Sequence, residues 1–276
     1  MSSHQVTQNR NQARLGHRLC GSGPRRAIVL NDWLCDTSTW DAAAPYLDVG
    51  GFTYAFADLR GYGQSRALIG EYSLREAAQD VGELADSMEW ETFHLVGHSM
   101  SSLVVLHLAQ QFPERVQRVV ALTPPPPGGF GASDEMIAAS EQLAWGDDAA
   151  RIAALAQRFG DHWSIGWARY KAARWRATAE APAIAAYVRL FARDGLVDLQ
   201  TKIQVPVLAI TGERDLPPMR AAAVDRYWRP LCANLAVHGL TDSGHYPMQE
   251  LPPLTVTLVE RFLAGSLGLD FLGVPA

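Results

Sequence analysis

The sequence predicts an α/β protein whose core is a doubly wound, mostly parallel β-sheet. Short apolar runs alternate with segments of helical pattern, and each run is bounded by Gly, Pro, Asp or Asn. Apolar runs without polar alternation are typical of parallel strands that are buried on both faces. Strands that alternate with helices imply right-handed crossover connections, which place helices on both sides of the sheet. The runs are Ala27–Leu30, Phe52–Ala57, Phe93–Val96, Val119–Leu122, Val207–Ile210 and Leu235–His238.

The clearest helix signal follows the second apolar run. Ser73 begins the sequence S-L-R-E, a capping box in which Glu76 stands at the fourth position. Apolar residues then recur at three- and four-residue spacing, which predicts an amphipathic helix with one face on the sheet. These residues are Leu74, Ala77, Val81, Leu84 and Met88. Ahead of the first run, residues 1–14 are mostly polar and are predicted to form a flexible tail.

The alternation stops at residues 123–131, TPPPPGGFG. Successive prolines continue neither a strand nor a helix, and the glycines after them allow a joint. The pattern is then helical and rich in alanine and tryptophan until a strand pattern resumes at residues 205–212, VPVLAITG. The sequence therefore predicts a helical cap insertion, residues 127–197, between two parts of an α/β core, residues 15–126 and 198–276. We expect this insertion to act as a lid over the edge of the sheet.

Composition and charge exclude several classes of protein. The 276 residues carry a formal net charge of −5 without a Lys/Arg cluster, so we expect no nucleic-acid or membrane partner. Cys20, Cys35 and Cys232 stand at unrelated spacings, which argues against disulfides and favours a reducing compartment. Neither a signal peptide nor a long apolar run is visible, so a cytoplasmic location is expected. Zinc-ligand spacing and phosphate-binding glycine loops are also missing, so we expect no metal and no cofactor.

The stretch VGHSMSS, residues 96–102, places Ser99 between an apolar strand run and a helical run. It differs in one residue from the G-x-S-x-G nucleophile elbow, because Ser101 stands at the second glycine. In that elbow the serine lies on a sharp strand-to-helix turn at the edge of the sheet where α/β proteins bind ligands. Ser101 is small, but it lacks the access of glycine to positive φ. Ser99 is therefore the candidate nucleophile.

A serine nucleophile needs a base within hydrogen-bond reach, and the base needs an orienting acid. His245 lies in TDSGHYPMQELPP, residues 241–253, after the last apolar run. Asp215 lies in ITGERDLPP, residues 210–218, just beyond the preceding run. Asp242 is a local alternative as the acid because it is three residues from His245. Asp215 is favoured because its position directly after a strand is the one expected for the acid.

Five stretches are similar to those of a known family: LNDWLCDTSTWD (30–41), DLRGYGQS (58–65), VGHSMSS (96–102), VPVLAITGERD (205–215) and SGHYPMQE (243–250). Because of them the chain resembles the cap-bearing serine hydrolases of the α/β-hydrolase superfamily over nearly its whole length. The resemblance implies Ser99 as nucleophile, His245 as general base and then general acid, and Asp215 as the residue that fixes the imidazole. The order Ser, Asp, His along the chain is the one expected for this superfamily.

The resemblance also implies an oxyanion hole made by the backbone N–H groups of Met100 and Trp33. Most members of the superfamily have His-Gly directly before the second donor, whereas this chain has Asn-Asp. The negative Asp32 carboxylate would repel a tetrahedral oxyanion unless the carboxylate is paired or points away. Arg60 and Arg66 of DLRGYGQSR are the candidate partners of this carboxylate.

The predicted cap contains half of the eight tryptophans of the chain. Some of its aromatic residues are expected to pack the cap on the core. Others are expected to line an apolar pocket for an acyl chain or a ring. The candidates for substrate contact are Trp145, His162, Trp163 and Trp167.

These features together predict a serine hydrolase that cleaves a small apolar carboxylic ester or lactone through an acyl-enzyme on Ser99. A serine rather than an aspartate nucleophile argues against the hydrolysis of alkyl halides. The alternatives on the same scaffold are C–C bond hydrolysis, acyl transfer, cofactor-free oxygenation with His245 as base, and ligand binding without catalysis. The sequence does not decide between a monomer and a homo-oligomer.

Overall fold

A computed structural model describes residues 14–159, 163–196, 198 and 200–267, so nearly all of the predicted tail lies outside the described residues. The strands are β1 (His17–Gly21), β2 (Arg25–Leu30), β3 (Phe52–Ala57), β4 (Phe93–His98), β5 (Val116–Leu122), β6 (Val207–Gly212) and β7 (Leu235–Leu240). They form one sheet in the order β1-β3-β2-β4-β5-β6-β7. β1 is antiparallel to β3, and all other neighbours are parallel. The predicted doubly wound, mostly parallel sheet is confirmed, and β1 is a strand that the sequence did not predict.

The helices of the described residues begin and end as follows: α1 (Leu74–Ser87), α2 (Met100–Gln111), α3 (Asp134–Ala144), α4 (Asp148–Phe159), α5 (Ile165–Thr178), α6 (Ala181–Arg189), α7 (Ala221–Trp228), α8 (Pro247–Glu250) and α9 (Pro252–Leu263). The Ser73 side chain caps α1 by accepting a hydrogen bond from the Glu76 N–H at 3.2 Å. The Glu76 carboxylate accepts the Tyr72 N–H at 2.8 Å, one residue earlier than in a standard capping box. Within the described part of the chain, no helix has the length and apolar character that a membrane crossing needs.

Both faces of the sheet are covered, which explains the uninterrupted apolar runs. Every residue of β4 is buried. Neighbouring residues of a strand point to opposite faces, so Leu95 packs in the layer with α1 and α2, whereas Val96 packs in the layer with α9. With both faces covered by apolar side chains, polar chemistry is confined to the edges where the strands end.

The carboxyl ends of the parallel strands bring the candidate site residues to one edge of the sheet. Ser99 directly follows β4, Asp215 comes three residues after β6, and His245 comes five residues after β7. The loop after β2 lies beside Ser99 because β2 pairs with β4. The chain goes from β2 to β3 on one side and to β4 on the other, so this edge is the switch point at which such sheets bind ligands.

The helices α3 to α6 lie between β5 and β6, within the segment that the sequence predicts as a cap. α3 packs on α6, and α4 packs on α5. This helical layer is hydrogen-bonded to the core at several places, and two of these bonds join α6 to loops that follow strands. The Trp33 indole N–H donates to the Ile184 carbonyl at 2.8 Å, and the Glu180 N–H donates to the Gly61 carbonyl at 2.8 Å. The loop after β2 therefore supports the helices above it.

Candidate active site

Ser99 lies on a strained turn between β4 and α2. Its backbone has φ 53° and ψ −119°, a conformation that non-glycine residues rarely adopt. The Ser99 N–H donates to the Leu122 carbonyl at 2.8 Å, which fixes the turn against β5. A Cβ atom at Gly97 would lie 2.6 Å from the Ser101 carbonyl oxygen, so the turn needs glycine there. Ser99 is half-buried, and the turn projects it at the edge of the sheet.

Ser101 replaces the second glycine of the elbow pattern without strain. It lies in the first turn of α2, and it is not among the described non-glycine residues that have positive φ. Its Oγ accepts the His98 N–H at 2.9 Å and donates to the His98 carbonyl at 3.1 Å. The hydroxyl thus satisfies backbone groups at the turn, and positive φ is not required at position 101.

The structure brings Ser99, His245 and Asp215 together in a hydrogen-bonded chain. The Ser99 Oγ is 3.0 Å from His245 Nε2, and His245 Nδ1 is 2.7 Å from Asp215 Oδ2. Burial acts to raise the pKa of Asp215, but the charge and hydrogen bond of His245 and the Leu216 N–H together hold it below its usual value. An ionised Asp215 keeps the imidazole proton on Nδ1 and leaves Nε2 free to accept the serine proton. Asp242, the local alternative, is exposed and pairs with an arginine at 3.0 Å.

The two backbone N–H groups expected to form an oxyanion hole belong to Trp33, in the loop after β2, and Met100, at the start of α2. Among the described residues, neither the Trp33 N–H nor the Met100 N–H donates a hydrogen bond to a protein acceptor. Met100 is the first residue of α2, where N–H groups have no partner within the helix. The Trp33 main chain is held because its carbonyl accepts the Tyr62 hydroxyl at 2.7 Å. Both N–H groups are therefore candidates for stabilising an oxyanion.

Asp32 pairs with a lysine of α5, so the expectation that Arg60 or Arg66 pairs with it was wrong. Those two arginines bind carboxylates on α1 and at the start of α6. Lys171 Nζ is 3.2 Å from Asp32 Oδ2, and the two side chains are only 1% and 2% exposed. Burial acts to raise the pKa of Asp32, but Lys171 above all lowers it below its usual value. Burial acts to lower the pKa of Lys171, and Asp32 in turn raises it. Both groups are therefore charged at neutral pH.

The Asn31-Asp32 pair also builds the loop that contains Trp33. Asp32 Oδ1 accepts the N–H groups of Leu34 and Cys35, each at 2.9 Å. Asn31 Nδ2 donates to the carbonyls of Asp32 and Cys35 at 2.7 and 3.0 Å. Asn31 Oδ1 accepts the Leu59 N–H at 2.8 Å, which attaches the loop to the segment after β3. The two residues thus fix the backbone on either side of Trp33.

His98 is a buried neutral histidine behind the nucleophile. Its Nε2 donates to the His245 carbonyl at 2.6 Å, and its Nδ1 lies 3.7 Å from Asp32 Oδ2. Burial and then the nearby His245 lower the pKa of His98 to about 3. His98 therefore ties the His245 main chain to the elbow without carrying charge at neutral pH.

The burial of His98 predicts a loss of stability in acid. Between pH 6.5 and about 3 the unfolded chain protonates this ring while the folded protein does not, so the free energy of unfolding falls as the pH drops. The contribution of one such group is at most about 1.4 kcal/mol per pH unit. The amide of His98→Gln can still donate to the His245 carbonyl. This variant should reduce the slope of the free energy of unfolding against pH by up to that amount. Denaturant titrations of both proteins between pH 4 and pH 6 measure it, and equal slopes would contradict the assignment.

Aromatic side chains of α4 and α5 cover His245. The Phe159 ring is 5.7 Å from the His245 ring, and Trp167 lies 5.3 Å from both Phe159 and Tyr246. Trp163 stacks on Trp167 at 4.6 Å. The candidates Trp163 and Trp167 thus belong to an aromatic wall beside the site. The candidate His162 lies outside the described residues.

Trp145 lies in a different part of the molecule. It follows α3 with 63% of its surface exposed. It lines an outer groove of about 930 Å³ together with residues such as Glu71 and Arg189, and none of Ser99, Asp215 and His245 lines this groove. A smaller cavity of about 180 Å³ adjoins Asp215 and His245 and is lined in part by Phe159. Trp145 therefore lies away from Ser99, His245 and Asp215.

Sequence reasoning missed Lys171, Phe159 and Tyr246. Lys171 is one of only two lysines in the chain, and it stands four residues from both Trp167 and Trp175 in a helical segment. That spacing puts a charged side chain on the same face as two large apolar ones, which is a signal for a buried and paired charge. Phe159 and Tyr246 gave no signal beyond their place in the cap and next to His245.

The mostly parallel sheet with helices on both faces is the architecture of the α/β hydrolases, and the comparison with known sequences supports this family. Residues 30–250 match the family described as alpha/beta hydrolase fold, and the chain belongs to this family. The predicted membership of the α/β-hydrolase superfamily is thereby confirmed. A fluoroacetate dehalogenase of Burkholderia sp is 35% identical over 107 residues, which cover 37% of this chain and 34% of the dehalogenase. The chain spans about a third of the length of the curated relatives that it matches.

Solved structures share this fold over nearly the whole chain. A hydrolase from Oleispira antarctica has a TM-score of 0.79 at 17% identity and covers 91% of this chain and 95% of its own. The enol-lactonase from Burkholderia xenovorans LB400 has a TM-score of 0.75 at 24% identity, with 91% and 96% covered. At these identities the likeness shows the fold alone.

Proposed function

We propose that this α/β hydrolase is a serine hydrolase that cleaves a small apolar carboxylic ester or lactone through an acyl-enzyme on Ser99. The observation that carries the proposal is the hydrogen-bonded chain from Ser99 through His245 to Asp215, with Ser99 held at positive φ. A buried carboxylate, an oriented imidazole and a strained, half-buried serine are the parts that nucleophilic acyl transfer needs.

In the proposed reaction, Ser99 Oγ bonds to the substrate carbonyl carbon as its proton moves to His245 Nε2. The N–H groups of Met100 and Trp33 stabilise the negative charge that forms on the carbonyl oxygen. His245 then gives the proton to the alcohol oxygen as the C–O bond breaks, and the acyl group stays on Ser99. A water that loses a proton to His245 attacks the acyl carbon. The bond between this carbon and Ser99 Oγ then breaks, Oγ takes the proton back from His245, and the carboxylic acid is released. In a lactone, the released alcohol remains attached to the acyl chain.

Two observations support an apolar acyl substrate. The aromatic wall of Phe159, Trp163 and Trp167 offers an apolar surface next to His245. The nucleophile position holds Ser99, and a serine that displaced a halide would form an ether that water does not readily cleave. This chemistry favours esters and lactones over the dehalogenation named for the Burkholderia relative.

A panel of short- and medium-chain p-nitrophenyl esters and small-ring lactones tests the proposal. We expect hydrolysis of uncharged apolar members. With p-nitrophenyl esters we expect a first release of nitrophenol that is faster than steady-state turnover, because nitrophenol leaves readily and acylation is then faster than deacylation. An ester of equal length that ends in a carboxylate is the matched control, and it should react more slowly at an aromatic wall. Failure of a folded protein to hydrolyse any member would contradict the proposal.

A further inference from the structure

One face of α5 meets the loop after β2 through polar side chains. Lys171, Arg174 and Thr178 are spaced three and four residues apart, so they lie on one helical face. Lys171 pairs with Asp32, Arg174 pairs with Asp36 at 3.0 Å, and the Thr178 hydroxyl accepts the Asp36 N–H at 3.3 Å. The first pair is fully buried, whereas the Arg174 side chain is 33% exposed. The same helix thus makes a buried and a partly solvated ion pair with the same loop.

The buried pair lies next to a proposed oxyanion donor. Asp32 directly precedes Trp33, and Asp32 Oδ1 accepts the N–H groups of Leu34 and Cys35, the two residues after Trp33. A carboxylate so close to the proposed oxyanion would repel it, and in a buried site such repulsion is weakly screened. Two nitrogen-bearing side chains face Asp32 Oδ2: Lys171 at 3.2 Å and His98 at 3.7 Å. His98 is neutral at pH 7 because burial lowers its pKa, so among the described residues Lys171 supplies the opposing charge.

Lys171 is itself held on several sides. Its Nζ lies 3.2 Å from Asp32 Oδ2, 3.4 Å from Thr39 Oγ1 and 4.2 Å from the centre of the Tyr246 ring. Tyr246 directly follows His245, so Lys171 contacts both the loop of the proposed donor and the loop of the proposed base. A cation fixed in this way keeps its position relative to Asp32. It therefore needs no rearrangement when negative charge develops on the substrate carbonyl oxygen.

We propose that Lys171 is a positioning residue that neutralises Asp32, so that this carboxylate can fix the Trp33 loop without opposing the oxyanion. The inference rests on the proposed function. Neutralisation by Lys171 explains how Asp can stand at position 32, where most members of the superfamily have Gly. It also makes the proposed oxyanion hole depend on α5, a helix of the predicted cap.

Lys171→Met tests the charge, and Arg174→Met is the matched control from the same helix. We expect Lys171→Met to lower kcat for the best ester by about 100-fold with little change in KM, which is the range seen when an oxyanion donor is lost. Arg174→Met should stay within about threefold of the wild type, since its pair with Asp36 is partly solvated and lies four residues beyond Asp32 in the loop. The double variant Asp32→Asn/Lys171→Met should recover most of kcat. Asparagine keeps the oxygen that accepts the Leu34 and Cys35 N–H groups but removes the charge.

Measurements of kcat, KM and Tm on the purified variants separate the outcomes. A folded Lys171→Met protein with the kcat of Arg174→Met overturns the inference, and so does a folded double variant that stays about 100-fold slow. If Lys171→Met does not fold, the double variant still decides, because uncharged pairs of similar size usually fold well in place of buried ion pairs. A wild type without esterase or lactonase activity overturns the proposed function, and this inference with it. An active wild type with an unaffected Lys171→Met overturns this inference alone.

Discussion

Replacing Ser99 with alanine is expected to lower kcat for the preferred ester or lactone by at least about 10⁴-fold. Without Oγ no acyl-enzyme can form, and the rate that remains comes from binding and from the oxyanion donors. His245→Ala should cost a similar factor, and Ser99→Ala/His245→Ala should lose little more, because residues that act as a unit are not additive. Steady-state kinetics on the three variants measures this.

The Ser99→Ala variant also separates the alternative reactions. A cofactor-free oxygenase with His245 as base would keep part of its activity without the serine hydroxyl. A ligand-binding relative would keep its affinity. Retention of ester hydrolysis within about tenfold of the wild type would contradict the nucleophilic role of Ser99, since that role predicts a far larger loss.

Replacing Asp215 with asparagine is expected to lower kcat by about 10⁴-fold. Asparagine can offer an N–H to His245 Nδ1, which moves the ring proton to Nε2, where it can no longer accept the serine proton. Asp242→Asn is the matched control, since Asp242 is exposed and bonds only to Arg214 among the described residues. We expect that control to stay within about threefold of the wild type, as is usual for exposed pairs.

The stability and the kcat values of the two aspartate variants check this assignment. Asp215→Asn should keep a Tm close to that of the wild type if the amide preserves the geometry, so that its loss of kcat is not a loss of fold. Equal kcat values for Asp215→Asn and Asp242→Asn would contradict the role of Asp215. A large loss in Asp242→Asn alone would assign the orienting acid to Asp242.

The parallel strands could be predicted because burial on both faces leaves a local signal. The run Phe52–Ala57 coincides with β3, and the other runs lie within strands that extend up to three residues further. β1 could not be predicted in this way. His17–Gly21 mixes polar residues with Leu19, which is 59% exposed, and the strand is held by antiparallel pairing with β3. Pairing between distant segments has no signature in a short window of sequence.

The candidate site shows the same division between local and distant information. Ser99, Asp215 and His245 could be placed because each follows a predicted strand, and parallel strands end at one edge. The partner of Asp32 could not be placed. Lys171 is 139 residues away in the sequence, on a helix whose orientation depends on how it packs. The expected partner Arg60 instead pairs with Asp80 of α1. Sequence order constrains which loops meet, but it does not determine which side chains pair.

The most direct test of Ser99 as a nucleophile is the intact mass of the protein after treatment with a fluorophosphonate probe. Such a probe forms a covalent bond with a serine that is activated by a base and supported by an oxyanion hole. We predict a single adduct on the wild type and no adduct on Ser99→Ala or His245→Ala. The absence of an adduct on a folded wild type, or an equal adduct on Ser99→Ala, would contradict the proposal that Ser99 is a nucleophile activated by His245.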